Sequence, residues 1–416
     1  MKKLVALVLA AVMLLGITSA FAEGEKITLT LWDIATESDA NRPAYDGALA
    51  AIKEAHPEIE IKEVSTENQQ YKIDLATAMA DPSTLPDIFF TWSGAFLGDY
   101  AENAYALNDV YANLAIKDAL PEVMLANGTY DGKSYAVPLT MNIVTLFANM
   151  DLLAEAGWTE IPATYEDLIK CCDDLVAKGI IPFGCSGKET WCVTEYLEPI
   201  MEKYVGAETL GSIFAGKTSW KDDDIKASVE KLQEMIAKGY FDPNGMSLGN
   251  DEVKANFIAG QYAFYQNGSW NCGEIDNANK EGKNFKVALF PVMNAERASY
   301  LQVIGGPSDS LAVSASSPNA ELAAQIAFEL GKEICHYGYL AGSGLPAWTP
   351  DYDTSAVKDL VNDVSAIVSS AEGMVLFGDT AMGGEAKDKY LEYVSQVYGC
   401  EVDGEGFMNG LAADLW

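Results

Sequence analysis

Basic residues are scarce in this sequence. Its 416 residues contain 27 lysines and arginines against 61 aspartates and glutamates, and the formal net charge at pH 7 is −34. Nucleic acids and anionic membrane surfaces are bound by clustered lysine and arginine side chains, so both would repel a chain with this charge. The composition therefore argues against nucleic acid, or an anionic lipid surface, as a partner.

The residues that usually hold metal ions are also few. Only two histidines, His56 and His336, are present, and the seven cysteines lack C-x-x-C spacing. No familiar zinc cluster can be built from this set, so we expect no metal and no other cofactor. Cys185 and Cys192 could close a short loop as a disulfide in an oxidising compartment, or they could remain free thiols.

Signatures of common enzyme classes are missing as well. The sequence has no nucleophile elbow, no H-E-x-x-H motif and no glycine-rich phosphate loop. We therefore expect a protein that is not an enzyme. A secreted glycosidase is the alternative to keep, because that chemistry needs only two suitably spaced carboxylates, which an acidic chain supplies easily.

The one long apolar run lies at the N terminus. Lys2 and Lys3 precede an apolar segment at 4–15, and Ala20-Phe21-Ala22 follows it. The segment is shorter than the roughly 20 residues of a membrane-spanning helix, and an A-x-A cleavage pattern follows directly. We predict a signal peptide over 1–22 and a mature protein outside the cytoplasm, with an uncleaved membrane anchor as the alternative.

Strand and helix patterns alternate along the rest of the chain. Apolar residues alternate at 27–32 as in a strand, a helical pattern follows as far as His56-Pro57, and the same succession leads to a buried strand at 87–91. This order predicts a parallel sheet with crossover helices. Because the alternation continues downstream without a flexible linker, we expect an α/β fold with two lobes and a cleft between them.

Four tryptophans follow predicted strands: Trp32, Trp92, Trp191 and Trp270. In open parallel sheets, ligands bind beyond the carboxyl ends of the strands. An indole ring can stack on the C–H face of a sugar ring, and neighbouring carboxylates and amides can bond to the hydroxyls. The pattern indicates a carbohydrate site, although any one of these tryptophans could simply pack in a core.

Three segments resemble a known family. They are Y-D-G-K-S-Y-A-V-P at 130–138, L-F-A-N-M-D-L-L-x-x-A-G at 146–157, and F-I-A-G-Q-Y-A-F at 257–264 with N-G-S-W after it. They are similar to the hinge-crossing signature of family 1 extracellular solute-binding proteins, and the likeness covers essentially the whole mature chain. The maltose-binding and multiple-sugar-binding members, which deliver carbohydrate to ATP-binding-cassette importers, are the most similar.

The resemblance implies a two-lobed, periplasmic-binding-protein-like α/β fold of type II, with the ligand cleft between lobes joined by a multi-segment hinge. We place the first lobe at 23–137 and 306–345, and the second at 138–305 and 346–416. The expected crossings are 137–142, 305–311 and 342–346. Many Gram-positive relatives carry a lipobox cysteine after the signal, whereas the first cysteine here is Cys171, so we expect no lipid anchor.

Carried over position by position, the resemblance also implies the residues that bind the sugar. Asn142 and Asp379 could equally serve as a turn or a helix cap. The predicted ligand-binding set is Trp32, Asp33, Glu37, Trp92, Ser93, Asn142, Glu189, Trp191, Asn267, Trp270 and Asp379.

The expected function is capture of a di- or oligosaccharide outside the cytoplasm, periplasmic or at the cell surface, by hinge closure. The expected partners are that carbohydrate and the membrane permease of an importer, and the protein is expected to be a monomer. A carbohydrate-binding adhesin that does not close on its ligand is the remaining alternative.

Overall fold

The computed structural model describes residues 26–114 and 116–415. The predicted signal peptide at 1–22 and the predicted mature start at Glu23 lie outside these residues. Within the described part of the chain, no helix combines the length and the apolar character that crossing a bilayer requires.

The strands of the described residues fall into two large sheets and one hairpin. Their bounds are β1 Ile27–Asp33, β2 Ile59–Ser65, β3 Ile88–Trp92, β4 Thr129–Tyr130, β5 Lys133–Ser134, β6 Ala136–Pro138, β7 Thr140–Asn149, β8 Ile181–Gly184, β9 Tyr262–Gly268, β10 Phe285–Ala288, β11 Gln302–Gly306, β12 Asp309–Val313, β13 Leu345–Pro346 and β14 Gly373–Val375.

The α-helices cover both sheets. Their bounds are α1 Arg42–Ala55, α2 Asn68–Ala80, α3 Ala95–Gly98, α4 Asn108–Asn113, α5 Met150–Glu155, α6 Tyr165–Ala177, α7 Thr190–Val205, α8 Ala207–Phe214, α9 Asp223–Ala237, α10 Asn250–Ala259, α11 Cys272–Lys280, α12 Ala320–Ala341, α13 Asp359–Ser369, α14 Gly378–Ala381, α15 Gly384–Tyr398 and α16 Gly404–Asp414.

The first lobe is built on a sheet with strand order β2-β1-β3-β12-β6. Strand β1 runs parallel to β2 and β3, while β12 runs antiparallel to β3 and β6. Leu29 and Leu31 of β1 are fully buried, as the alternation in the sequence predicts. The predicted parallel βαβαβ unit is therefore confirmed, and the returning strand β12 completes the sheet from a distant part of the chain.

The second lobe is built around β7, which pairs with four other strands. Its sheet has the order β14-β11-β7-β9-β8, with β10 and β13 also on β7. Nine of the ten residues of β7 are buried, which explains the nearly continuous apolar run in this segment. Helices α7 and α9 pack in the same core.

Three stretches of chain pass between the lobes. Leu139 separates β6 in the first sheet from β7 in the second, and Pro307-Ser308 separate β11 from β12. In the third stretch β13 pairs with β7 and its Leu345 packs in a second-lobe core. Ala347 and Trp348 then pack in the first core, and Val357 lies again in the same core as Leu345. Our division at 345/346 therefore splits residues that pack together, because the chain returns to the first lobe after β13.

Gly305 occupies a position in the hinge where any side chain would clash with the neighbouring strand. Its φ is +136°, and a Cβ atom there would lie 2.2 Å from the carbonyl oxygen of Asn142. Only glycine combines this backbone conformation with so close an approach of the neighbouring strand. The G-G-P sequence at 305–307 thus reflects the close pairing of β11 and β7 at the crossing.

Candidate functional site between the lobes

A cavity of about 1060 Å³ lies between the two lobes. The first lobe contributes the loop after β1, the start of α2, the loop after β3 and the start of β12. The second lobe contributes the start of α7, the start of α10, the turn after β9 and the segment 377–391. The cavity therefore lies where the resemblance places the ligand cleft.

Aromatic side chains from both lobes line the cavity. Trp92 and Phe96 belong to the first lobe, with ring centroids 5.3 Å apart. In the second lobe, Trp270 lies 6.0 Å from Trp191 and 6.1 Å from Phe377, centroid to centroid. Trp92 ends β3, Trp191 lies in the first turn of α7, and Trp270 follows β9. Strand ends and a helix start thus place three of the four predicted tryptophans in one cavity.

Lysines cover two of these rings. The Nζ atom of Lys72 lies 4.9 Å from the ring centroid of Trp92, and that of Lys387 lies 5.1 Å from the centroid of Phe96. Burial lowers the pKa of Lys72, and the nearby carboxylate of Asp379 opposes this shift. Both lysines line the cavity, so each can also donate hydrogen bonds to a bound molecule.

Carboxylates outnumber ammonium groups in the cavity lining, with nine aspartates and glutamates against three lysines. Near the hinge, burial raises the pKa of Asp309 to about 7; Asp39 adds to the shift and a hydrogen bond from Asn142 opposes it. Burial also raises the pKa of Asp39. Anionic ligands are disfavoured by this lining, whereas hydroxyl groups find many acceptors in it.

Glu189 fixes the position of Trp191. Its Oε2 atom accepts a hydrogen bond from Trp191 Nε1 at 3.1 Å, and its Oε1 atom accepts one from the backbone N–H of Asn250 at 2.8 Å. The carboxylate thus joins the first turn of α7 to the first turn of α10. Glu189 lines the cavity, but two of its acceptor positions are already engaged by the protein.

Asn142, Asn267 and Ser93, three of the predicted residues, are buried behind the cavity wall. Asn142 Oδ1 accepts from Ser269 Oγ at 2.8 Å, and Asn267 Oδ1 accepts from Asn271 Nδ2 at 3.0 Å. The hydroxyl of Ser93 lies 2.8 Å from that of Ser310. These side chains are thus engaged by other protein groups; ligand contact by them stays a prediction.

The predicted residues at the end of β1 lie apart from the cavity. Trp32 lines a separate hollow of about 260 Å³ with Val64 and Tyr71. Asp33 is fully buried, its Oδ1 atom accepts from Ala35 N at 2.9 Å, and burial raises its pKa to about 7. Glu37 is exposed beside the cavity-lining Thr36 and Ser38. Of the predicted set, Trp92, Glu189, Trp191, Trp270 and Asp379 line the cavity.

Several cavity residues escaped the sequence analysis. Phe96 had a signal, because it lies four residues after Trp92, and Phe377 lies two residues before Asp379. Asp309 lies two residues after the G-G-P sequence of the hinge. No pattern in the sequence pointed to the others, which the structure alone brings to the cavity: Asp39, Lys72, Glu195, Asn250, Asp251 and Lys387.

The described residues contain no group of three or more histidines, cysteines, aspartates or glutamates arranged to hold a metal ion. Cys185 and Cys192 are buried and free, so the disulfide considered from their spacing is not formed in this structure. What the cavity offers chemically is aromatic surface, hydrogen-bond acceptors and a few ammonium donors.

Known proteins share this architecture. The family described as bacterial extracellular solute-binding protein matches residues 47–362. A structure from work on xylan utilisation by Caldanaerobius polysaccharolyticus superposes with a TM-score of 0.88 and 29% identity, covering 93% of this chain and all of the other. The structure of a chitin oligosaccharide binding protein superposes with a TM-score of 0.84 at 24% identity, covering 94% and 98% of the two chains.

The fold is thus that of the two-lobed, type II binding proteins, as predicted. The chain belongs to the family of bacterial extracellular solute-binding proteins. A curated relative, a probable sugar-binding periplasmic protein of Mesorhizobium japonicum, is 26% identical over 279 residues, which are 64% of this chain and 62% of that protein. The chain therefore aligns with less than two thirds of the length of this relative.

Proposed function

We propose that this protein captures a di- or oligosaccharide between its lobes and delivers it to the permease of an ATP-binding-cassette importer. The observation that carries the proposal is the cavity in which Trp92 and Phe96 of one lobe face Trp191, Trp270 and Phe377 of the other, among many carboxylates. Flat apolar rings and hydroxyl acceptors are the two features that sugar recognition needs.

The size of the cavity supports a ligand larger than one sugar ring. Pockets for small molecules usually measure about 300–1,000 Å³, and this cavity has about 1060 Å³. Aromatic rings lie on both of its walls, so a ligand of two or more rings can contact both lobes. Contacts made only when the lobes approach each other favour the closed form, which is how binding drives hinge closure.

The experiment is a thermal-shift screen with xylotriose, chitotriose, maltotriose and stachyose, followed by chromatography of the incubated sugars. A ligand at about a hundred times its dissociation constant adds about 2.7 kcal/mol of apparent stability. We expect at least one sugar to raise the melting temperature and to be recovered intact. Shortened sugars would instead support a glycosidase, and no stabilisation by any of them would contradict the proposal.

The location of the protein and its form after export are part of the same proposal. Membership of an extracellular solute-binding family supports a location outside the cytoplasm, and we infer a free, monomeric protein without a lipid anchor. Intact mass of the exported protein tests this: a chain starting at Glu23 without added diacylglycerol is expected. Another start or an attached lipid would contradict it.

A further inference from the structure

Glu195 is a buried carboxyl group in the second-lobe wall of the cavity. The residue is 2% exposed, it lines the cavity, and its Oε2 atom has no hydrogen-bond partner among the described residues. It lies four residues after Trp191 on α7, so the two side chains share one face of the helix. A buried polar atom is normally paired, and an unpaired one at a cavity wall indicates a place for a ligand atom.

Acidic groups surround this carboxyl. Glu198 lies one turn further along α7, is 1% exposed, and accepts hydrogen bonds from Gly378 N at 3.0 Å and Tyr390 OH at 2.8 Å. Asp379, on α14, is the second acidic group that acts on Glu195. A carboxylate next to two others and removed from water is disfavoured, so the site favours the neutral acid.

The remaining titratable neighbours do not offset this arrangement. The thiols of Cys185 and Cys192 and the phenol of Tyr265 interact with Glu195, and burial raises the pKa of all three, so they stay uncharged. Burial, followed by Glu198 and Asp379, raises the pKa of Glu195 well above its usual value. A neutral carboxyl differs from an ionised one because it can also donate a hydrogen bond.

We propose that Glu195 is a neutral carboxylic acid that donates a hydrogen bond to an acceptor oxygen of the bound sugar. The inference deepens the proposed function and rests on it for the identity of the ligand. The acceptor is a ring oxygen, a glycosidic oxygen or an amide carbonyl of the sugar. Ionisation of Glu195 removes the donor, so sugar affinity falls as the pH rises through the apparent pKa of this carboxyl.

The protonation state is tested first, without any sugar. Infrared spectra of the full-length mature protein are compared with those of Glu195→Gln near pH 7, using the carbonyl band of protonated carboxyl groups. The wild type is expected to show intensity that Glu195→Gln lacks. Glu230→Gln serves as the control for the substitution itself, because Glu230 lies on the exposed surface of α9 and does not line the cavity. Equal acid-band intensity in wild type and Glu195→Gln would overturn the inference.

The ligand contact is tested by calorimetry with xylotriose and chitotriose at about pH 6 and about pH 9. Wild-type affinity is expected to fall more between the two pH values than that of Glu195→Gln, whose amide donates at any pH, because titration of Asp309 affects both proteins alike. Glu195→Ala is expected to bind about tenfold more weakly at the lower pH. If Glu195→Ala does not fold, the inference is tested by comparing the pH dependence of affinity in Glu195→Gln with that in the wild type, and equal pH dependence would overturn it.

The outcomes separate this inference from the proposed function. A folded Glu195→Ala variant that binds as tightly as the wild type at both pH values would overturn the hydrogen bond while leaving sugar capture intact. If neither sugar binds the wild type, the proposed function loses its support, and the infrared comparison still decides whether Glu195 is neutral.

Discussion

Lys387 of the second lobe lies over the ring of Phe96 in the first lobe, with 5.1 Å between its Nζ atom and the ring centroid. Close by, the Asp99 carboxylate of the first lobe accepts a hydrogen bond from the backbone N–H of Gly384 at 2.7 Å. The lobes are thus joined by side-chain contacts as well as by the three chain crossings. These contacts hold one side of the cleft together.

Removing the contact between Lys387 and Phe96 should favour the open form of the protein when no sugar is added. A partly exposed cation–π contact contributes about 0.5–1 kcal/mol, enough to change the ratio of open to closed forms a few-fold. We expect Lys387→Met to increase the radius of gyration measured by small-angle scattering without sugar. Lys389→Met is the control, since Lys389 points to Glu392 on the surface and does not line the cavity. An unchanged radius in Lys387→Met would contradict this prediction.

Truncation of Trp270 should weaken sugar binding without unfolding the protein. Its ring lines the cavity and is partly exposed, so Trp270→Ala is expected to reduce binding free energy by at least ~1 kcal/mol, measured by calorimetry. Trp32→Ala is the matched comparison because Trp32 also follows a strand pattern but lines the separate hollow. Equal affinity in Trp270→Ala and wild type would show that Trp270 packs against the protein and does not bind the sugar.

Gly305→Ala should destabilise the hinge. The added Cβ atom would lie 2.2 Å from the Asn142 carbonyl oxygen, at a φ of +136°. We expect a loss of more than about 2 kcal/mol in the free energy of unfolding by urea. Gly282→Ala is the control, because its φ of +95° is also positive but nothing lies within 4 Å of the added atom. Equal losses in the two variants would show that crowding by β7 is not the cause.

Buried carboxyl groups should make stability fall as the pH rises. Burial raises the pKa of Glu198 to about 8, from the 4.5 that is usual for a glutamate. Between these values the folded protein binds more protons than the unfolded chain, so the free energy of unfolding decreases with pH through this window and levels off above it. Between pH 5 and 8, the free energy of unfolding should fall by at least about 1 kcal/mol less in Glu198→Gln than in the wild type. Parallel pH profiles of the two proteins would contradict this.

The sequence predicted the parts of this site that depend on local pattern. Trp92 ends the buried strand β3, Trp270 follows the buried strand β9, and both line the cavity. Ser93 comes one residue after Trp92, and because successive residues of an extended chain point to opposite sides, it turns into the interior. Trp32 lies on the side of β1 opposite to the buried Leu31 and Asp33, and it lines the separate hollow rather than the cavity.

The rest of the site depends on tertiary contacts that no short pattern reveals. Lys72 reaches the ring of Trp92 from another element of the first lobe, whereas only the approach of the two lobes puts Lys387 against the ring of Phe96. No pattern in the sequence distinguishes Glu195 from other polar residues of a helix, whereas in the structure α7, which carries it, packs against α14 and α15. The division of lobes near residue 346 failed to anticipate the return of Trp348 to the first core for the same reason.

The most direct test of sugar capture between the lobes is a crystal structure of the protein with the sugar that gives the largest thermal shift. We predict a sugar ring stacked on Trp270 in the second lobe, with further contacts to the Trp92 wall of the first lobe. Density for the sugar on the outer surface of the protein, or a sugar that contacts one lobe only, would contradict capture between the lobes.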